Sequence, residues 1–158
     1  ATVITINPFT SHVFGRLGLS TVEVPIMMVA SSYDLVVPPG PEQVIPFTWL
    51  GSETKYFAML DRATHFSSLA VLSGDDAIFA VPPTLIGPDP RIAHKYLKSL
   101  SVAMLTTHLT ENQNFQPYLS ADYGLYLSQP EIPLSILRRI PRAALDLSRP
   151  VLLETQAN

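Results

Sequence analysis

Two side chains in this sequence have the types and the spacing for shared acid–base chemistry: Asp34, and His65 about thirty residues further on. An imidazole that takes and returns a proton near neutral pH needs an anion to fix its tautomer and stabilise the imidazolium. A carboxylate supplies one. The plainer alternative is that Asp34 caps a turn or the following helix and His65 is an ordinary loop histidine; spacing alone leaves both readings open. A nucleophile for the pair is not placed. Gly18-Leu19-Ser20-Thr21-Val22 approaches a G-x-S-x-G elbow but lacks its closing glycine. The sequence has no cysteine, which excludes a cysteine nucleophile, a thiolate zinc site and a disulfide framework. His12, His65, His94 and His108 have neither i, i+4 spacing nor an H-E-x-x-H setting, so no metal site is expected, and nothing calls for a cofactor.

The elements around the pair are predicted to bring it together. Pro25-Ile26-Met27-Met28-Val29-Ala30 is an unbroken apolar run, the pattern of a strand buried on both faces of a parallel sheet. Ser31-Ser32-Tyr33-Asp34 follows at its carboxyl end, the edge where open α/β sheets keep their chemistry. Pro41 opens a short predicted helix over 42–50, with Val44, Phe47 and Leu50 at helical spacing and an interruption near Pro46. Lys55 to Leu60 reads as a second strand, and Asp61 to Phe66 leads out of it. Strand, helix, strand with short joints is a βαβ unit with a right-handed crossover, so Asp34 and the loop carrying His65 should emerge at one end of the sheet. Phe47 and Trp49 lie beside the acid-bearing loop. They are either the wall of an acyl-binding pocket or the packing face of the helix, the second being the commoner use of such residues.

Elsewhere the signals are more local. Thr2-Val3-Ile4-Thr5-Ile6 is a strand or the tail of one, broken by Asn7-Pro8. Residues 11–20, with Gly15 and Gly18, suggest a loop or a single poor helical turn. The stretch 67–88 reads as irregular, with a turn at Gly74-Asp75-Asp76 and an extended piece at Val81-Pro82-Pro83. Asp89-Pro90 is a clear helix start, and Ala93, Tyr96, Leu97, Leu100, Ala103 and Met104 share one face of a helix reaching about Thr110. Pro117 to Leu127 should form a further helix whose Tyr118, Tyr123 and Tyr126 serve as core or pocket rim. Residues 133–140 and 143–147 read as short closing pieces, and Pro150 to Asn158 as a tail.

At 158 residues the chain is expected to be a single domain spanning 1–158. Apolar residues make up 47% and charged residues only 15%, so some apolar surface should meet a partner. The net charge is -3 and the longest basic run is Arg138-Arg139, with Arg142 nearby. That is no footprint for nucleic acid or an anionic membrane. No apolar run approaches the ~20 residues that span a bilayer, so no transmembrane segment is expected. The first residue is Ala1 and not methionine, so upstream polypeptide is expected as well.

Several of these stretches share their wording with one family. Val24 to Asp34, Pro41-Glu42-Gln43 through Pro46-Phe47, Thr64-His65-Phe66-Ser67, Gly87-Pro88-Asp89-Pro90 and Pro117-Tyr118-Leu119-Ser120 resemble the carboxyl-terminal part of serine α/β-hydrolases. The narrower likeness is to platelet-activating-factor acetylhydrolases and predicted dienelactone hydrolases. The resemblance covers most of the chain and implies its fold: the last two parallel strands of an α/β-hydrolase with their packing helices, 67–88 irregular and 89–127 helical, without the nucleophile half. It also implies Asp34 as the acid and His65 as the general base of a Ser-His-Asp set, in the chain order of such enzymes. The substrate would be an ester, small or lipid-like, and the serine would lie upstream. Without nucleophile and oxyanion donors the chain alone should be inert. The other expectation is a non-catalytic interaction module that self-associates through an exposed sheet edge. On either view the edge should be covered, by another copy or by an amino-terminal portion.

Overall fold

The computed structural model describes residues 1–69 and 82–140, together with Leu145. The turn expected at Gly74-Asp75-Asp76, the residue Val81, most of the closing piece at 143–147 and the tail from Pro150 lie outside the described residues.

In chain order the elements are strand β1 (Val3–Ile6), helix α1 (Ser11–Ser20), strand β2 (Ile26–Ser31), helix α2 (Ile45–Phe47), strand β3 (Lys55–Leu60), helices α3 (Pro83–Ile86), α4 (Pro90–Leu109) and α5 (Ala121–Leu127), and strand β4 (Leu134–Leu137). They form a four-stranded mixed sheet in the order β1-β2-β3-β4. The first three strands are parallel, with Ile26 opposite both Val3 and Lys55, and β4 runs antiparallel to β3. The sheet therefore holds more than the two parallel strands expected. Thr2 to Ile6 contributes a complete strand, and Leu134 to Leu137 adds an edge strand. Its signal was a two-residue alternation between Pro133 and Arg138, with Leu134 and Ile136 buried and Ser135 exposed.

Helices cover both faces, which is why β2 is buried at every position. Met27 and Val29 point to one side with Tyr56, Ala58 and Leu60, against Ala93, Tyr96, Leu100 and Met104 of α4. Ile26, Met28 and Ala30 point to the other with Phe57, against Leu19 of α1, Phe47 of α2 and Leu50. Both crossovers, β1-α1-β2 and β2-α2-β3, thus lie on one face and the sheet steps in one direction. Two crossovers of the same hand require that.

The helix ends follow from sequence. Asp89 accepts the amide of Arg91 at 2.9 Å, Pro90 fills the first helical position where no donor is needed, and the helix ends at Leu109. Tyr96 is fully buried, and its hydroxyl is satisfied by donating to Ile132 O at 2.9 Å while accepting from Gln129 N. That pair of bonds ties α4 to the turn before β4. Residues 11–20 are more helical than expected: two short pieces meet at Gly15, whose φ of +59° lets the chain turn between them. Pro117 to Leu127 is not one helix. A 3₁₀ segment covers Gln113–Leu119, and α5 starts afresh with Ser120 accepting the Tyr123 amide. Among the described residues no helix is long and apolar enough to cross a membrane.

Candidate acid–base site

Backbone pairing beyond the ladder brings the two loops together at the carboxyl end of β2 and β3. The amide of Ser32 donates to Leu60 O and that of Tyr33 to Ala63 O, so the two segments run side by side past their strands. The Ser32 hydroxyl donates to Asp61 Oδ1 at 2.7 Å and accepts the amide of Arg62, which turns the β3 exit at a positive φ. Asp34 and His65 therefore meet: His65 Nδ1 lies 2.7 Å from Asp34 Oδ2. The Asp34 side chain is fully buried, and about a quarter of the His65 side chain is exposed. Asp34 Oδ1 accepts the amides of Val36 and Val37, at 2.9 and 2.7 Å. Asp34 thus caps its own turn and holds the histidine at once, which joins the two sequence readings.

His65 opens a 3₁₀ turn, His65–Ser68, locked from behind. The amide of Thr64 donates to Ser67 Oγ, which donates to Ile86 O, and Thr64 Oγ1 donates to Leu85 O, at 2.9, 2.7 and 2.7 Å. Gly87 follows at a φ of +79°, and a β-carbon there would come within 2.9 Å of Thr64 Cγ2. The segment that read as irregular thus begins and ends with ordered pieces that clamp the histidine turn.

A second polar cluster escaped the sequence reading. Glu42 is buried, yet its carboxylate accepts the amides of Thr10 and Ser11 at 2.9 and 2.8 Å, the Ser11 hydroxyl at 2.6 Å and a contact from His12 Nδ1. Burial alone would push the Glu42 carboxyl up. The hydrogen bonds from Ser11, His12 and the two amides outweigh it and hold the pKa at about 2. Pro46 has no amide to give the carbonyl of Glu42, and the Thr10 hydroxyl takes that acceptor instead. Ser11, His12 and Glu42 are not a nucleophile set. The serine donates straight to Glu42 Oε1, and His12 Nδ1, 3.1 Å from Ser11 Oγ, meets that same oxygen, so one ring nitrogen faces both groups and the imidazole does not stand as a relay with serine on one nitrogen and acid on the other. No local pattern announces this cluster, because its two halves lie about thirty residues apart in the chain.

Phe47 and Trp49 are taken up by packing. Phe47 is buried with its ring 5.2 Å from that of Phe57, Lys55 lies over its face, and Trp49 is half-buried against the same cluster. Tyr118 and Tyr123 line a groove of about 370 Å³ with Lys98, Ser99, Val102 and Phe115, on the helical side of the molecule. Among the described residues no group of three or more histidine, aspartate or glutamate side chains is arranged to hold a metal ion.

Chemically, a buried carboxylate on Nδ1 of a part-exposed imidazole sets the tautomer that leaves Nε2 as the proton acceptor. No protein-family model matches this chain, and no curated protein matches it.

Proposed function

We propose that this chain supplies the acid and the general base of a serine ester hydrolase, acting on a lipid-like or otherwise apolar ester, with the serine carried by polypeptide outside this sequence. The observation that carries the reading is the 2.7 Å contact between His65 Nδ1 and Asp34 Oδ2 at the carboxyl ends of the parallel strands β2 and β3. In the proposed reaction the serine oxygen attacks the ester carbonyl while its proton passes to His65 Nε2. The tetrahedral intermediate collapses as that proton goes to the leaving alcohol, giving an acyl-serine. Water then repeats the sequence: His65 takes its proton, the acid is released, and the proton returns to the serine. Asp34 stays ionised throughout and stabilises the imidazolium. The chain on its own has no turnover.

Fluorophosphonate labelling of a longer protein that includes the upstream serine, beside its His65→Ala variant, tests this. The reading expects the variant to label at least about a hundredfold more slowly, the scale of a lost general base. Equal labelling of the two would sink it.

A second reading, a self-associating interaction module, draws on a different observation. β1 pairs with β2 alone among the described strands, it carries no charge, and Ile6, Phe9, Val13, Phe14 and Leu17 stand exposed on β1, the loop after it and α1. Natural edge strands are usually blunted by charge or proline. Sedimentation of the chain separates the cases: a dimer at micromolar concentration supports the module, and a monomer rules it out.

A further inference from the structure

Asn7 closes β1 in the left-handed region, at a φ of +45°, a conformation that costs any residue other than glycine, asparagine less than most. Its side chain is nonetheless buried. Nδ2 donates to Ser68 Oγ at 3.3 Å, and Ser68 Oγ donates to the carbonyl of His65 at 3.1 Å. The single serine hydrogen is committed to that carbonyl, so the serine accepts from Asn7, and this assigns the orientation of the amide. Oδ1 is then left without a partner among the described residues.

Positive φ, burial and an unpaired acceptor each disfavour asparagine at this position. Glycine would relieve all three. Local conflicts of this kind gather where a side chain serves a site and not the fold. The loop that carries Asn7 is also firmly anchored. The Asn7 amide donates to Val29 O at 2.8 Å, Gln43 Nε2 donates to Pro8 O at 3.1 Å, and Glu42 holds the next turn. Asn7 is a fixed post at the end of one strand, reaching to the turn after the third.

We infer that Asn7 is a positioning residue for His65, holding the backbone of the histidine turn through Ser68 while Asp34 holds the ring. The two restraints differ in kind. The bond at Nδ1 fixes the tautomer but allows the ring to swing about the Asp34 oxygen. The bond at the carbonyl of His65 fixes the 3₁₀ turn from which the side chain departs, and so fixes where Nε2 stands. A proton acceptor held in one place keeps its rate, and small displacements cost much of it.

The tether is tested on the chain itself, and only the rate measurement rests on the general-base reading. Amide exchange is followed by NMR in the wild type, Asn7→Gly, Ser68→Ala and the double variant. Glycine keeps the left-handed backbone and removes only the amide. The amides of Ser67 and Leu69, which bond within the turn, should exchange about tenfold faster in either single variant, with β2 and β3 unchanged. The low-field signal of the His65 Nδ1 proton should broaden, and the double variant should go no further than the singles. Unchanged exchange in Asn7→Gly overturns the inference. So does a rise spread over the whole sheet with Ser68→Ala silent. In the longer protein, Asn7→Gly should lower kcat about tenfold at constant KM; a faster-exchanging turn with kcat intact would make Asn7 a structural tie only and end the positioning role. Should His65→Ala still label, the hydrolase reading fails, while the exchange result stands on its own.

Discussion

Asp34 divides its carboxylate between two loops: one oxygen takes the amides of Val36 and Val37, and the other lies 2.7 Å from Nδ1 of His65. The first task fixes the direction in which the second oxygen points. A carboxylate left to rotate would pay for its order each time the imidazole charged, whereas this one is ordered beforehand by the turn it caps.

Asp34→Asn separates the two tasks. The asparagine oxygen still accepts from Val36 and Val37, so the turn and the fold persist. The amide nitrogen then faces Nδ1 and selects the opposite tautomer. In the longer protein of the proposed hydrolase kcat should fall on the order of 10⁴-fold, with the circular dichroism unchanged. A loss below about tenfold would contradict the acid's role.

Glu42 gives the fold an acid sensitivity of defined sign. Its folded pKa is lowered from 4.5 to about 2, so its contribution is complete above the unfolded value and is lost as pH falls from about 4.5 towards 2. Urea midpoints at pH 7 and pH 3 in the wild type and in Glu42→Gln check it. The variant should be weaker at pH 7, and the gap should narrow at pH 3.

Gly87 and Gly15 both have a positive φ, but only Gly87 abuts the histidine turn. Alanine at either position should cost about 1 kcal/mol in backbone strain. At Gly87 the new methyl also presses on Thr64 Cγ2, so, on the proposed hydrolase reading, fluorophosphonate labelling of the longer protein should slow in Gly87→Ala and not in Gly15→Ala. Thermal midpoints measured alongside keep the two effects apart.

Phe47→Ala should cost about 3 to 5 kcal/mol, the usual result of emptying a buried aromatic site. Its ring rests on Phe57 inside the cluster beneath α2. Expressed protein should show a sharply lower denaturation midpoint. Wild-type stability, with an altered ester preference in the longer protein of the proposed hydrolase, would instead restore Phe47 to a substrate pocket.

The local grammar around the site is written in the order of the amino acids. The apolar run Pro25 to Ala30 specifies a strand buried on both faces, Asp89-Pro90 specifies a helix start, and the strand-helix-strand order puts Asp34 and His65 at one end of the sheet. These are short-range signals, carried by periodicity and by residues whose backbone chemistry acts within one turn. Tertiary structure decided the rest. It paired Glu42 with Ser11 and His12, joined Asn7 to the histidine turn through Ser68, and set the short β4 antiparallel beside β3. Each depends on groups far apart in the chain, and a buried polar group finds its partner by where the fold carries it, which no local pattern encodes. The same holds for Phe47: its helical spacing was legible, but only the packed sheet beneath it turned that aromatic ring into core.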